Sequence, residues 1–512
     1  MTLSTRLKRW LFLIHRWLGI VACLFFAMWF ISGVVMMYVG YPKLTERERL
    51  LHLPALAAQE ALLSPAQALD RAGLHGPLQD LRLANARGGQ PVYLVTPEKA
   101  PASAGQKRSR GTDVVIVDAR TGKRLTDVDQ TLAMATARAY AGQDVALQYE
   151  GTVMEDAFTH SRALDAHRPL HLVQLADPDH TLLYVSGKTG EVVRDATRNE
   201  RIWNYAGAWI HWLYPFRGNV FEGWWTDIVI WLSIGGTILA LTGTVVGILR
   251  WRFTKPYRSG SRSPYQTGMM RWHHIVGLLF AFITITWIFS GLMSMNPWRI
   301  FDSAAAPLRT TEMQGGALTL TALDRTPADL LKAADRPISE LRWMRSLGDN
   351  AVVAYGSVGT PTLLDSQAAT PRMIDEQALI AAGSKLLPYP VAKVEKLDRY
   401  DLYYYARDPH TMMGGAEKPL PILRLIFSDP YATWVHLDLQ TGAVLGKTDS
   451  YRRTSRWLFA MLHSWDWLPL LDRRPLWDVL LIVLSLGGAA LSITGVIIGW
   501  RRLGKKLRAH HH

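Results

Sequence analysis

The sequence predicts a membrane α-helical protein with four transmembrane helices and two periplasmic α+β domains, built as an internal duplication of a helix–domain–helix unit. Three observations carry this. Trp17–Pro42, Ile228–Leu249, Trp272–Trp298 and Val479–Trp500 contain no Asp, Glu, Lys or Arg, and each is long enough to cross a bilayer, which takes about 20 apolar residues. Three other segments are basic and hold no acid: residues 1–16 (Arg6, Lys8, Arg9, Arg16), 250–271 (Arg250, Arg252, Lys255, Arg258, Arg262, Arg271) and 501–512 (Arg501, Arg502, Lys505, Lys506, Arg508). Finally, two series of residues recur at fixed offsets along the chain.

The elements follow in order. Residues 1–16 form a cytoplasmic N-terminus, because Lys and Arg concentrate on the cytoplasmic side of membrane helices. Residues 17–42 form the first transmembrane helix; its apolar run is too long for a cleaved signal peptide and no small-x-small site follows. Residues 43–220 form the first periplasmic domain, 221–250 the second helix and 251–268 a basic cytoplasmic loop. The third helix covers 269–298, the second periplasmic domain 299–473, the fourth helix 474–500, and a basic cytoplasmic tail ends the chain at 501–512. His510–His512 resemble a tag remnant.

His15-x-x-x-Gly19, Trp29 and Ser32-Gly33 return as His273-x-x-x-Gly277, Trp287 and Ser290-Gly291, 258 residues later. His211, Trp225, Gly235-Gly236, Thr242-Gly243 and Gly247 return as His463, Trp477, Gly487-Gly488, Thr494-Gly495 and Gly499, 252 residues later. Both halves therefore run in the same direction, as parallel repeats about an axis along the membrane normal do. The small residues of Ser233-x-Gly235-Gly236 and Ser485-x-Gly487-Gly488 predict close helix packing.

In the periplasmic domains, Pro65–Ala72 and Pro327–Ala334 have helical spacing behind the caps Ser64 and Thr326. Leu132–Tyr140 and Glu376–Ala382 read as short helices. Gln90–Thr96, Val114–Asp118, Thr181–Ser186, Ala351–Tyr355 and Thr433–Asp438 read as strands. Asp118–Gly122, Ser186–Gly190 and Asp438–Gly442 share one turn chemistry, in which a side-chain oxygen bonds the backbone two residues on and Gly supplies a positive φ. Residues 99–111 have the composition of a loop.

Composition excludes several classes. The chain has 512 residues, 49% of them hydrophobic, 20 Trp, a mean hydropathy of +0.03 and a net charge of +14. This is too apolar for a disordered chain. One cysteine, Cys23, excludes a disulfide framework and a zinc ribbon; it reads as a buried small residue. The fifteen bases of the three cytoplasmic segments account for the whole positive balance, which removes the case for nucleic acid. There is no Gly-x-Gly-x-x-Gly after a strand, no Walker loop, no His-Glu-x-x-His, no Gly-x-Ser-x-Gly and no Cys-x-x-Cys-His. Electrons, if the protein uses them, must come from outside the chain. Four helices without an intramembrane acid or base also give little support to an ion-coupled transporter.

A strand–Asp-x-x-Thr-Gly–strand unit, then a short segment with Ile-His or Leu-His, then a Gly- and Thr-Gly-containing helix ending in basic residues, resembles the PepSY-associated transmembrane family. The likeness covers essentially the whole chain, twice over. It implies PepSY-like periplasmic domains. Some members of that family are inner-membrane reductases of ferric siderophores that carry haem b.

The repeated histidines suit that chemistry. His15 with His273 near the cytoplasm, and His211 with His463 near the periplasm, supply two pairs of neutral imidazoles, and a six-coordinate haem b needs one pair. The plain alternative is that all four are interfacial histidines; a crossed pairing of the four is a further one. Gly19 and Gly277 leave room for a porphyrin one turn from each inner His, and Arg16 and Arg271 are cations for its propionates. His274, whose repeat partner is Arg16, reads as a supporting or propionate contact. Trp29 and Trp287 lie between the pairs, as packing or as a bridge. Met36, Met37 and Met295 are weaker candidate ligands. Measured along the first helix, the two pairs stand about 35 Å apart.

His160, His167 and His171 form a further cluster, with Pro169 arguing against a helix between the last two. Counted from the second half, Glu417 stands where His167 does and Pro421 where His171 does. Tyr403-Tyr404-Tyr405 alternates as a strand would. The whole reading is an inner-membrane haem b protein, with two bis-His haems, that reduces a periplasmic ferric chelate such as a siderophore using electrons from a quinol or a cytoplasmic reductase. Reduction helps release because Fe(II) suits hard ligands less well. The other class that the sequence allows is a non-enzymatic PepSY membrane protein that binds peptides or regulates an envelope peptidase or partner.

Overall fold

The computed structural model describes residues 3–98, 114–217, 220–407 and 418–509. The 99–111 loop, Glu417 and His510–His512 fall outside the described residues.

Apolar residues without charge leave the backbone only itself to bond, and in lipid that means helix. The long helices are α1 (Leu3–Met36), α2 (Trp225–Arg250), α3 (Gly268–Leu279), α4 (Ala281–Ser294) and α5 (Arg474–Ala509). Among the described residues, α1, α2 and α5 are each long and apolar enough to cross a membrane, and α3 with α4 makes a fourth span if the pair acts as one. Two expectations change here. The described parts of the basic segments at 1–16 and 501–512 are not separate from the spans; α1 starts at Leu3 and α5 runs on to Ala509. The helix expected at 269–298 is broken at Phe280 and bent by 70°. At the break, Thr284 Oγ1 bonds the Phe280 carbonyl at 2.9 Å, a back-bond that bends helices. The Phe280 ring then fills the place of a side chain at Gly487, where a Cβ would come within 2.1 Å of it. Gly236 and Gly488 likewise admit Phe26 and Phe30 of α1. The glycine pairs thus receive aromatic rings. Phe26 and Phe30 form the membrane core with Ala22, Leu239, Ile288 and Ala489.

The remaining chain forms three antiparallel sheets. Their strands are β1 (Leu78–Arg87), β2 (Gln90–Pro97), β3 (Val115–Asp118), β4 (Arg124–Leu125), β5 (Leu147–Val153), β6 (Leu170–Leu175), β7 (Leu182–Ser186), β8 (Val192–Ala196), β9 (Glu340–Ser346), β10 (Asp349–Tyr355), β11 (Thr362–Asp365), β12 (Val391–Leu397), β13 (Ile422–Phe427), β14 (Trp434–Asp438) and β15 (Val444–Thr448). β5–β8 and β12–β15 are four-stranded sheets, one from each half. The third sheet runs β11-β10-β9-β1-β2-β3-β4 and joins the halves. The seam is β1 against β9, with Leu81 opposite Trp343 and Ala84 opposite Glu340. The halves therefore do not fold as two separate domains at 43–220 and 299–473. Edge strands expose unpaired backbone groups, and pairing β1 with β9 removes one such edge from each half.

The helices Pro65–Arg71 and Pro327–Ala334 cap as expected, on Ser64 and Thr326. They lie in one core with Leu81, Tyr93, Leu341 and Trp343. The shared turn forms in all three places: Asp118 Oδ1 accepts from Arg120 N, Ser186 Oγ from Lys188 N and Asp438 Oδ1 from Gln440 N, with Gly122, Gly190 and Gly442 at φ of +76°, +79° and +72°. Residues 402–406 are not a strand. Asp401 Oδ1 takes the backbone N–H groups of Tyr403 and Tyr404 and turns the chain there.

Candidate functional site

His211 and His463 each follow a π-helical turn, Tyr205–Trp209 and Trp457–Met461. Such turns are rare and occur frequently at functional sites. Their ring centres stand 6.2 Å apart, with planes at 75°. Ser32 Oγ lies 3.0 Å from His211 Nδ1. Ser290 Oγ lies 3.0 Å from His463 Nδ1, and the Trp287 carbonyl 3.2 Å from it. Gly33 and Gly291 sit against the rings, where a Cβ would be 3.7 Å from Cε1 of His211 and of His463. Trp29 Nε1 donates to the His211 carbonyl at 2.9 Å. The pair opens into a cavity of about 540 Å³, lined by aromatic, aliphatic and hydroxyl side chains, with no Arg, Lys, Asp or Glu among the described residues that line it.

At the basic end of the helices, His15 and His273 have ring centres 6.3 Å apart and planes at 36°. His273 Nδ1 meets Thr494 Oγ1 at 3.0 Å and the Leu491 carbonyl at 3.3 Å. His15 Nδ1 is buried without a hydrogen bond, although Leu239, the repeat partner of Leu491, presents its carbonyl side to it. Gly243 is hard against the His15 ring: a Cβ there would be 2.6 Å from Cε1. At Gly495 a Cβ would be 2.5 Å from Cys23 Sγ and 3.5 Å from His273 Cε1. This cavity is about 280 Å³ and is also lined by Arg16, Arg250, Arg502 and Tyr265.

The ring separations test what the pairs can hold. An imidazole nitrogen bonds a first-row metal at about 2.0 Å and lies roughly 1.1 Å from its own ring centre. Two imidazoles on opposite sides of one metal atom therefore put their ring centres about 6.2 Å apart, as both pairs do. Among the described residues, no three His, Cys, Asp or Glu converge as a site for a bare ion would. Two imidazoles suffice for a metal that brings its other ligands with it, and a porphyrin brings four nitrogens. The residues present thus fit haem at both places.

The rings meet as His15 with His273 and His211 with His463; the crossed pairing does not form. Arg16 lines the basic-end cavity, but Arg271 does not; its guanidinium donates to the Gln266 carbonyl at 2.7 Å. Arg250 and Arg502, on the ends of α2 and α5, are the other cations there. His274 has both nitrogens occupied, Nδ1 with Ser263 Oγ at 2.8 Å and Nε2 with the Gly247 carbonyl at 2.9 Å, and so supports the loop after α2. Gly19 and Gly277 also line this cavity, while the glycines against the His15 and His273 rings are Gly243 and Gly495. Trp29, Trp287, Met36, Met37 and Met295 all line the sheet-side cavity.

The other three histidines are dispersed. His160 pairs with Glu155, His167 lies 3.1 Å from Ser186 Oγ, and His171 bonds the Tyr149 hydroxyl at 2.8 Å and the Val128 carbonyl at 3.1 Å. β6 and β13 match at an offset of 252, so Pro421 corresponds to Pro169 and Leu423 to His171. The expected equivalence of Pro421 with His171 is corrected by two residues. The sequence series contained Ser32-Gly33, Ser290-Gly291, Thr242-Gly243 and Thr494-Gly495, but only the folded chain sets each dipeptide against a histidine from elsewhere.

The fold and the paired sites define a helical membrane protein with an antiparallel-sheet superstructure and two cavities that each hold a pair of imidazoles. A family model, the PepSY-associated TM region, matches residues 12–502, and the chain belongs to that family. No curated protein matches it.

Proposed function

We propose that the chain is a haem b protein of the bacterial inner membrane that passes electrons outward to a ferric chelate such as a siderophore, with His15 and His273 holding one haem and His211 and His463 the other. The observation that carries this reading is the ring spacing, 6.3 Å in one pair and 6.2 Å in the other. When bound, haem supplies reversible one-electron transfer, and Fe(III) that takes up an electron becomes Fe(II), which hard chelators hold less tightly.

The chain's own residues do the rest. The four imidazoles would hold the iron, one pair at each site. Arg16, Arg250 and Arg502 supply cations at the basic end. Phe26, Phe30, Trp29 and Trp287 fill the interior between the pairs and exclude water. The pairs are closer than the full helix length: Ser32, which touches His211, is seventeen residues past His15, or about 25 Å along α1. The basic ends of α1, α2 and α5 support a cytoplasmic placement of that face and a periplasmic placement of the sheets. The matched elements support four spans in two duplicated halves, with α3 and α4 as one broken span. The donor is a quinol or a cytoplasmic reductase.

The test is an optical spectrum of the purified protein with haem quantified per chain. A Soret band should be present, should halve when His15 and His273 are both replaced by Ala, and should halve independently when His211 and His463 are. A colourless protein, or a band that survives both replacements, overturns the reading. Colourless protein that captured an envelope partner would favour the non-enzymatic PepSY role.

A further inference from the structure

Each of the four histidines faces a hydroxyl–glycine dipeptide on a different helix: His211 faces Ser32-Gly33, His463 Ser290-Gly291, His15 Thr242-Gly243 and His273 Thr494-Gly495. We propose that these dipeptides form a ring cradle, and that Ser32, Ser290 and Thr494 are positioning residues that fix the protonated nitrogen of their histidines at Nδ1. This rests on the haem reading.

The direction of each bond follows from counting protons. A hydroxyl has one hydrogen and two lone pairs. Ser32 Oγ donates its hydrogen to the Met28 carbonyl at 2.7 Å, Ser290 Oγ to the Trp287 carbonyl at 3.1 Å and Thr494 Oγ1 to the Leu491 carbonyl at 2.7 Å. With that hydrogen on the carbonyl each hydroxyl accepts toward the imidazole, and the Trp287 and Leu491 carbonyls, 3.2 Å from His463 Nδ1 and 3.3 Å from His273 Nδ1, can only accept there as well, which puts the hydrogen on Nδ1. A neutral imidazole protonated at Nδ1 presents its lone pair at Nε2, and an Nδ1–H held by an acceptor makes the ring a stronger donor to a metal.

Ser32 and Ser290 are almost wholly buried, at 2% and 0% exposure, so neither hydroxyl serves solvent. Alanine would suit a helix interior better than serine, which leaves the ring as the partner the side chain is there for. A Cβ at the following glycine would meet the same ring, in ordinary contact at Gly33, Gly291 and Gly495 and too closely at Gly243. The fourth cradle is incomplete. Thr242 Oγ1 bonds the carbonyls of Ile238 and Leu239 at 2.7 and 3.1 Å, and His15 Nδ1 has no hydrogen bond. At His15 the glycine contact is present and the hydroxyl bond is not.

The experiment is a redox titration of full-length protein in detergent, comparing wild type with Ser32→Ala/Ser290→Ala and Ser32→Thr/Ser290→Thr. Loss of the hydroxyl weakens His211 as a donor, and His463 less because the Trp287 carbonyl stays beside its Nδ1, and this favours the reduced metal. We expect the Ala double variant to raise the midpoint of one of two haems by at least a tenfold change in its reduction equilibrium, which is 59 mV for one electron, and the other haem not to move. The Thr variant, which keeps the hydroxyl, should restore the midpoint. Selective loss of the sheet-side haem in the Ala variant with retention in the Thr variant would equally support the proposal. Unchanged midpoints with two haems bound would overturn it while leaving the haem reading intact. Haem loss in both variants would overturn it too, because packing and not the hydroxyl would then be what matters. A wild type without haem would remove both readings together.

Discussion

Gly243→Ala is the sharpest test of the basic-end pair. The added Cβ would stand 2.6 Å from His15 Cε1 and 3.0 Å from Nδ1. Nonbonded carbons settle at about 3.5–4.0 Å, so the ring must retreat by roughly 1 Å. A metal–imidazole bond of about 2.0 Å does not survive that stretch. No side-chain hydrogen bond holds the ring in place; His15 Nδ1 has only the Leu239 carbonyl side near it. If α1 and α2 separate instead, the overpacking costs about 1–3 kcal/mol and opens the cavity. Either way one haem should be lost or become five-coordinate. The assay is haem per chain together with the low-spin absorption bands. Gly33→Ala is the control: its Cβ would lie 3.7 Å from His211 Cε1, an ordinary contact, and it should keep both haems. Full six-coordinate loading in Gly243→Ala, or equal loss in Gly33→Ala, would refute the reasoning.

Further outcomes follow from the same structure. Replacing Arg16 and Arg502 by Gln should weaken haem retention at the basic end severalfold in a haem-transfer assay, whereas Arg271→Gln should not, because Arg271 is committed to Gln266. Glu340 is wholly buried and meets Arg49 at 2.8 Å and Arg82 at 3.3 Å; Glu340→Gln should cost about 3 kcal/mol, read as a lower thermal midpoint in detergent. Burial and the neighbouring Arg424 guanidinium push His436 down to about 4, and Arg424 Nε donates to its Nε2 at 2.9 Å. His436 should therefore stay neutral at pH 5.5 by NMR. The unfolded chain takes up that proton near pH 6.5 and the folded chain does not, so this group's contribution to stability is full above about pH 6.5 and falls as the pH drops toward about 4.

The sequence was legible where a residue's role depends on near neighbours. Ser64 and Thr326 cap helices because the bonds lie within three residues. Asp118, Ser186 and Asp438 make the same turn for the same reason. The four charge-free stretches were legible because a bilayer reads only length and polarity. What was not legible depends on distant partners. Arg271 and Arg250 look alike in sequence; α2 carries Arg250 to the cavity mouth, while Arg271 finds a carbonyl five residues away. Tyr403–Tyr405 alternates like a strand, yet Asp401 captures two of the backbone N–H groups a strand would need. The break at Phe280 carries no proline and depends on Gly487, which comes from the other end of the chain. β1 and β9 pair across more than 250 residues, and neither strand stood out locally, because both contain charged residues; across the seam Glu340 is buried beside Arg82, and Arg342 meets Asp80 partly exposed.

The arrangement also makes the two pairs mechanically dependent. α1 carries His15 at one end and Ser32-Gly33 at the other, so one helix supplies a ring to the basic-end pair and a cradle to the sheet-side pair. The α3–α4 unit does the same with His273 and Ser290-Gly291. An α-helix turns through about 100° per residue, so slipping α1 by one position would carry His15 and Ser32 off their partners together. The spacing between the pairs is thus a property of helix rise, and the Phe26, Phe30 and Trp29 packing against α2, α4 and α5 is what fixes it. Loops set neither pair. Each ring is positioned by helix against helix, and the glycines and hydroxyls that permit this lie inside the same stretches whose apolar length makes them membrane helices.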